Sequence, residues 1–143
     1  MLAFKTAQQY RHEYVLLEHV LYALLHDPDT REVLEACGGD VEQLKEQLVE
    51  FFTNEVETMP GKSDYLPEES LAVQRVIQRA ANHVISSDKE AINGVNILVA
   101  MFSEEESHAV YFLLQQEITR FEVVSYLSHG LNISDEDLDD EDL

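Results

Sequence analysis

Apolar residues recur every three or four positions along almost the whole chain, and the strict alternation typical of strands is absent. This pattern predicts eight helices, of which the first is short. Gly, Pro and capping residues between the apolar runs indicate where each helix begins and ends. The predicted helices cover about residues 2–10, 17–26, 29–37, 40–52, 68–86, 95–102, 105–116 and 119–129.

Two of these helix boundaries depend on specific capping residues. Pro28 is expected to end the second helix, and Asp29, with Glu32 three residues later, is expected to cap the third. Asp40 is expected to cap the fourth helix, because Gln43 follows at the same spacing.

The helical pattern occurs twice, at an offset of about 77 residues. Residues 19–25 align with residues 96–102, and Leu44 aligns with Phe121, so that apolar positions stay apolar. We therefore predict an all-α fold built from two four-helix repeats related by a pseudo-twofold axis. Because each half is small, we expect the two to bury apolar faces against each other.

Composition divides the chain into four segments. Residues 53–67 contain two prolines, Gly61 and mostly polar residues, and are predicted to link a first repeat, residues 1–52, to a second, residues 68–130. Residues 131–143 are rich in Asp and Glu and poor in apolar residues, so we expect a disordered acidic tail.

The 143 residues carry 29 acidic and nine basic side chains, a net charge of −20. Nucleic acids and anionic membranes would be repelled by this charge, so neither is an expected partner. The acidity favours solubility and also suits basic protein partners. The single cysteine, Cys37, cannot form an internal disulfide and is interpreted as a small core residue. Without a signal peptide or a long apolar run, the chain is expected to be cytoplasmic.

The chain lacks residue patterns typical of catalysis, so we expect no enzyme activity. Residues 61–63 (Gly-Lys-Ser) resemble the end of a phosphate-binding loop, but Val56 stands where that motif needs glycine. His12, His19 and His26 would lie about 10 Å apart on one continuous helix, too far to share a metal. We interpret them as surface or capping histidines and expect no metal, although a weak zinc site made of one histidine and nearby acids remains open.

Several segments resemble the Clp N-terminal repeat domain family, over about residues 3–130. The sequence RHEY at 11–14 and EHVL at 18–21 carry the resemblance in the first half. QRVIQRA at 74–80, NILVA at 96–100 and FSEEES at 102–107 carry it in the second half. The spacing of RHEY, EH and FSEEES is most similar to the ClpA-type branch of this family.

The resemblance implies a non-catalytic docking domain. In this family the domain sits flexibly on a hexameric AAA+ unfoldase, receives substrate proteins and binds the adaptor ClpS, which delivers N-degron proteins to the protease ClpP. ATP would bind in ATPase modules of a longer parent protein, so no cofactor is expected in this chain, and the isolated domain is expected to be a monomer. The alternative is a stand-alone acidic regulatory protein of the same fold, whose Asp/Glu tail contacts its partner.

The resemblance also implies which residues form the adaptor site. Glu13 and Glu18 match acids that face a basic residue of the adaptor, and Ser70, Arg75 and Arg79 match polar contacts on its other side. Arg75 and Arg79 are an i,i+4 pair on one predicted helix face. Such a pair is unusual in a chain with nine basic residues, and pairing with local acids would explain it equally well. The glutamate triplet at 104–106 is interpreted as the solvated first turn of the seventh helix.

Overall fold

The computed structural model describes residues 2–61, 65–86 and 92–130, which leaves the predicted acidic tail outside the described residues. This part of the chain forms eight α-helices and two very short strands, which confirms the all-α prediction. None of these described helices is long and apolar enough to span a membrane. The elements are α1 (Leu2–Gln9), β1 (Tyr14–Val15), α2 (Leu17–Leu24), α3 (Pro28–Ala36), α4 (Val41–Asn54), β2 (Glu68–Glu69), α5 (Leu71–Ser86), α6 (Gly94–Met101), α7 (His108–Gln115) and α8 (Arg120–Gly130).

Side-chain caps explain where the helices of the first repeat begin. Asp40 accepts a hydrogen bond from the Gln43 amide, which confirms the predicted start of α4. The predicted cap of α3 was wrong by two residues, because Asp27 accepts the hydrogen bond from the Thr30 amide. Pro28 therefore does not end α2 but occupies the first position of α3, where its missing N–H would have had no helical partner.

Two helices of the second repeat begin later than the sequence pattern predicts. Glu68 and Glu69 belong to β2 rather than to α5, and β2 pairs in parallel with β1. Ser107 caps α7 by accepting a hydrogen bond from the Val110 amide. The glutamate triplet at 104–106 consequently lies in the turn between α6 and α7, not in the first turn of a helix.

Matching helix starts relate the two repeats. Leu16 precedes α2 and Asn93 precedes α6, 77 residues later. In each case the third helical residue accepts a hydrogen bond from the amide of that preceding residue: His19 through Nδ1 and Asn96 through Oδ1. The offset predicted for this pair of helices therefore holds in the structure.

The offset is 79 residues at the start of α8, because the turn between α6 and α7 is three residues longer than the turn between α2 and α3, while α7 is one residue shorter than α3. Asp40 caps α4, and the corresponding cap of α8 is Thr119, which accepts a hydrogen bond from the amide three residues on. The predicted alignment of Leu44 with Phe121 is therefore wrong. Leu44 is fully buried, whereas Phe121 is 66% exposed, and the buried counterpart of Leu44 is Val123.

One hydrophobic core joins the two repeats, as expected for halves of this size. Each fully buried leucine in it contributes about 1.5–3 kcal/mol relative to an exposed one. Gly39 marks a close approach between the repeats, because a Cβ atom there would lie 2.6 Å from Ile118 Cδ1. Large core residues of the two repeats include Leu21, Leu34, Leu44, Leu48, Leu98, Met101, Leu113 and Ile118.

The segment after α4 packs against the turn between α1 and β1. The Met59 amide donates to the Arg11 carbonyl at 2.7 Å, and Arg11 Nε donates back to the Met59 carbonyl at 3.3 Å. The Arg11 guanidinium also lies 5.3 Å from the centre of the Tyr65 ring, and Gln8 donates to the Tyr65 carbonyl. The described part of the predicted linker is thus fixed to the first repeat before the chain enters β2.

Candidate docking surface

Strand pairing brings the start of the second repeat against the loop that follows α1. The Glu68 amide donates to the Glu13 carbonyl at 3.1 Å, and the Ser70 amide donates to the Val15 carbonyl at 3.0 Å. Tyr14 lies opposite Glu68 in this parallel pair. Two predicted site residues from different repeats therefore flank this strand pair: Glu13 immediately precedes β1, and Ser70 immediately follows β2.

Ser70 caps α5 and stands beside two exposed apolar side chains. Its Oγ accepts a hydrogen bond from the Val73 amide at 3.2 Å, and its carbonyl accepts one from the Gln74 amide. Leu71, the first residue of α5, is 71% exposed, and Tyr14 on the adjoining strand is 42% exposed. Burying such side chains in a partner would contribute binding free energy.

Arg75 and Arg79 lie one turn apart on α5 and share the carboxylate of Glu104. Arg75 Nη2 donates to Glu104 Oε1 at 2.7 Å, and Arg75 Nε donates to Glu104 Oε2 at 3.2 Å. Arg79 Nη1 is 3.9 Å from the same carboxylate, which is longer than a hydrogen bond. Both arginine side chains remain about half exposed, at 56% and 49%. The alternative that nearby acids pair with these arginines is therefore correct: Arg75 pairs with Glu104 through hydrogen bonds, and Arg79 through a longer ion pair.

This ion pair shifts the pKa values of both partners in the direction that favours their charged forms. The hydrogen bonds from Arg75, and then its positive charge, hold the pKa of the Glu104 carboxyl below its usual value despite partial burial. The same hydrogen bonds raise the pKa of the Arg75 guanidinium. No local sequence pattern indicates this pair, because its members are 29 residues apart.

These residues form a strip that runs along the paired segments of β1 and β2 and then along α5. It is acidic at Glu13, apolar at Tyr14 and Leu71, and basic further along the helix. We define the β1–α5 surface as Glu13, Tyr14, Ser70, Leu71, Arg75 and Arg79.

Glu18, the remaining predicted site residue, does not lie on this surface. Its side chain is 5% exposed, and its Oε2 accepts a hydrogen bond from the Ala109 amide at 2.9 Å. Ala109 is in the first turn of α7, where amides lack helical partners and a negative charge is favoured. Glu18 therefore joins α2 to the second repeat, and its burial does not fit a contact with an adaptor.

His12 and His19 are buried, so the interpretation of all three histidines as surface or capping residues was wrong for His12 and incomplete for His19. A loop and β1 interrupt the continuous helix that the 10 Å spacing assumed, and His12 Nδ1 lies 2.8 Å from His19 Nε2. His12 Nε2 is 3.1 Å from the Phe52 carbonyl, in the last turns of α4. His26, by contrast, is exposed as predicted.

The hydrogen bonds assign the proton positions on both rings. The Leu16 amide donates to His19 Nδ1, so the proton of His19 must be on Nε2 and is donated to His12 Nδ1. His12 in turn carries its proton on Nε2 and donates it to the Phe52 carbonyl. Both rings are neutral. Burial lowers the pKa of His12, and burial followed by the proximity of His12 lowers the pKa of His19 to about 3.

Two candidate chemical sites, a metal site and the Cys37 thiol, can be examined in the described part of the chain. Among the described residues, no group of three or more His, Cys, Asp or Glu side chains could hold a metal ion. Cys37 is half-buried against the core, and burial together with the charge of Glu122 raises the pKa of its thiol. A raised pKa keeps a thiol protonated and unreactive.

The described residues thus form two four-helix repeats around one shared core, with both charged and apolar side chains exposed at the surface. The profile of the Clp repeat (R) N-terminal domain matches residues 1–116, and the chain belongs to this family. Over 132 residues it is 43% identical to a ClpA homolog protein from Fuscovulum blasticum. That match covers 90% of this chain but only 16% of the relative.

Solved N-terminal domains of Hsp104 and ClpV share the fold. The Hsp104 N-terminal domain from Candida albicans has a TM-score of 0.78 at 10% identity, covering 93% of this chain and 86% of that one. The N-domain of ClpV from Vibrio cholerae has a TM-score of 0.70 at 22% identity, covering 92% and 80%. A complex of the ClpV N-domain with a VipB peptide has a TM-score of 0.67 at 22% identity, covering 92% and 81%.

Proposed function

We propose that this domain docks a ClpS-type adaptor protein through the β1–α5 surface, as the N-terminal domain of a ClpA-type AAA+ unfoldase that works with ClpP in the cytoplasm. The observation that carries the proposal is that Glu13 and the exposed Tyr14 adjoin the segment leading into α5, which carries the exposed Leu71 and two arginines. Similarity to a ClpA homolog supports the unfoldase, and the ClpV N-domain with its VipB peptide supports partner binding by this fold.

The strip has the layout of a protein interface, with apolar anchors between charged ends. Tyr14 and Leu71 supply the area that a partner would remove from water, and tyrosine is enriched among residues that dominate binding energy. The charges at the two ends select the orientation of the partner and accelerate its approach. A matching adaptor surface would therefore present a basic residue to Glu13 and an acidic residue to the arginines.

The two arginines are not equivalent in this proposal. Arg75 already donates two hydrogen bonds to Glu104, whereas Arg79 approaches the same carboxylate only to 3.9 Å. A partner carboxylate would therefore meet less competition at Arg79. We expect Arg79→Glu to weaken adaptor binding more than Arg75→Glu.

Calorimetric titration of the domain with a purified ClpS-type adaptor tests the proposal. We expect a 1:1 complex, weakened at least about tenfold by Tyr14→Ala or Leu71→Asp, which corresponds to about 1.4 kcal/mol. Phe121→Ala is the matched control, because Phe121 is an equally exposed apolar residue on α8. Absence of binding by the wild-type domain at about 50 μM would refute the adaptor role, and equal losses in all three variants would refute the site.

A further inference from the structure

Every polar atom of His12 is engaged, and the four contacts reach four different parts of the fold. Its ring bonds the Phe52 carbonyl of α4 and the ring of His19 on α2. Its amide donates to the Ala7 carbonyl at 2.9 Å, and its carbonyl accepts the Tyr65 hydroxyl at 2.7 Å. Hydrogen bonds therefore hold both the main chain and the side chain of His12, which immediately precedes Glu13.

The second repeat shows that capping alone does not need a histidine at position 19. Asn96 occupies the equivalent position in α6, and its Oδ1 accepts the hydrogen bond from the Asn93 amide at 2.9 Å. His19 Nδ1 does the same for the Leu16 amide, but its second nitrogen also reaches His12. The His19 imidazole therefore caps α2 and also forms a hydrogen bond with His12, the residue two positions before β1. An asparagine side chain at position 19 could accept the Leu16 amide but would be too short to reach His12.

We infer that His12 and His19 are positioning residues that hold β1, and with it Glu13 and Tyr14, in the orientation that the β1–α5 surface presents to a partner. The order of their hydrogen bonds makes this connection depend on neutral rings. A proton added to His19 Nδ1 would oppose the Leu16 N–H, and one added to His12 Nδ1 would oppose the N–H of His19.

No charged side chain pairs with the rings of His12 and His19 in the described part of the chain, so a positive charge added to either ring would lack a partner. Arg11 and Glu13 flank His12 in sequence, but neither forms a salt bridge with the rings within the described part of the chain. Glu18 adjoins His19 on α2, yet its carboxylate is bonded to an amide of α7. From the remaining elements, Tyr10 stacks on His12, and the Tyr65 hydroxyl donates to its carbonyl. Acid should therefore loosen β1.

The decisive variant is His19→Asn, because it keeps the acceptor for the Leu16 amide and removes only the connection to His12. NMR-detected hydrogen exchange at the Glu68 and Ser70 amides reports on the strand, because these amides donate to the carbonyls of Glu13, just before β1, and of Val15, at its end. We expect both amides to exchange about tenfold faster in the variant, with the Ile118 amide of the second repeat unchanged. Unchanged strand amides, or equal acceleration at Ile118, would overturn the inference.

Two further measurements complete the test. Long-range nitrogen–proton NMR spectra should show both rings with the proton on Nε2 near pH 7, and an Nδ1 proton on either ring would contradict the inferred order of bonds. His26→Asn is the control for losing a histidine, and we expect it to leave the strand amides unchanged.

The binding consequence alone depends on the proposed function. Adaptor affinity should fall several-fold in His19→Asn and should decrease less between pH 7 and 5 than in the wild type. If His19→Asn binds the adaptor with the same affinity and the same pH dependence as the wild type, the orientation of β1 does not affect adaptor binding. If the wild-type domain binds no adaptor, the proposed function fails, while the exchange measurement still decides the role of the two histidines.

Discussion

The carboxylate of Glu18 on α2 accepts a hydrogen bond from the main-chain amide of Ala109, 2.9 Å away in the first turn of α7. The two residues are 91 positions apart and belong to different repeats. Ser107 already accepts the next amide of this turn, so Glu18 completes the cap of α7 from outside the helix. This contact fixes how the first repeat meets the second.

Glu18→Ala should therefore lower the free energy of unfolding by about 1–3 kcal/mol, because it leaves the Ala109 amide buried without its acceptor. Urea denaturation followed by circular dichroism measures the change. Glu46→Ala is the control, since Glu46 is an exposed acid on α4 and should cost less than about 0.5 kcal/mol. A loss in Glu18→Ala no larger than in the control would show that the cap contributes no stability.

Glu104→Gln should strengthen adaptor binding. The substitution removes the carboxylate that occupies Arg75, so both guanidinium groups become available to an acidic partner residue. The gain should be largest at low salt and should shrink as ionic strength increases. Glu105→Gln, which removes an exposed neighbouring charge, controls for net charge. Weaker binding by Glu104→Gln would mean instead that Glu104 aligns Arg75 for the partner.

Stability should decrease as the pH falls below about 6.5. Both buried histidines have folded-state pKa values below the ordinary 6.5, that of His19 at about 3, so the unfolded chain binds more protons in this range. Their contribution is fully present above pH 6.5 and is lost as the pH falls toward the folded-state values. Each histidine adds a slope of up to about 1.4 kcal/mol per pH unit.

Urea denaturation at about pH 7, 6 and 5 measures this slope before most carboxylates titrate. His19→Asn should reduce the slope by the contribution of one histidine, while His26→Asn controls for the loss of an exposed histidine. A wild-type free energy of unfolding that stays constant across this range would contradict the neutral, buried state of the pair.

Gly39→Ala should destabilise the domain by about 1–3 kcal/mol through overpacking. The added Cβ would lie 2.6 Å from Ile118 Cδ1 and 2.8 Å from the Leu34 carbonyl oxygen. Ile118→Val removes the Cδ1 atom, so the double variant should be less destabilised than the sum of the single variants. Additive losses in thermal denaturation would place the strain at the Leu34 carbonyl alone.

Local signals account for what the sequence predicted well. Helical periodicity relates residues three or four positions apart, and the Asp40–Gln43 cap joins residues three positions apart. Both can therefore be recognised within a short stretch of sequence. The β1–β2 pair was missed because two residues per strand are too few to show alternation. The start of α3 was misplaced because Asp27 and Asp29 both fit a cap, and only the position of Pro28 distinguishes them.

The candidate site was predictable only in part, because its geometry depends on contacts between distant residues. Arg75 and Arg79 were recognisable as an exposed pair on one helix face, but Glu104 has no local relationship to them. Glu18 was placed on the surface because nothing in its own helix indicates the approach of α7. His12 was predicted to lie far from His19 because the prediction assumed one continuous helix, whereas a loop and β1 separate α1 from α2.

The β1–α5 surface takes its strand from the first repeat and its helix from the second. A nascent or proteolysed chain that contains only one repeat consequently carries half of the strip, with either the acid or the arginines missing. A partner that contacts both the acidic and the basic end of the strip would bind only chains in which the second repeat has been synthesised and folded. Under the proposed function, docking of such a partner would therefore require both repeats to be folded.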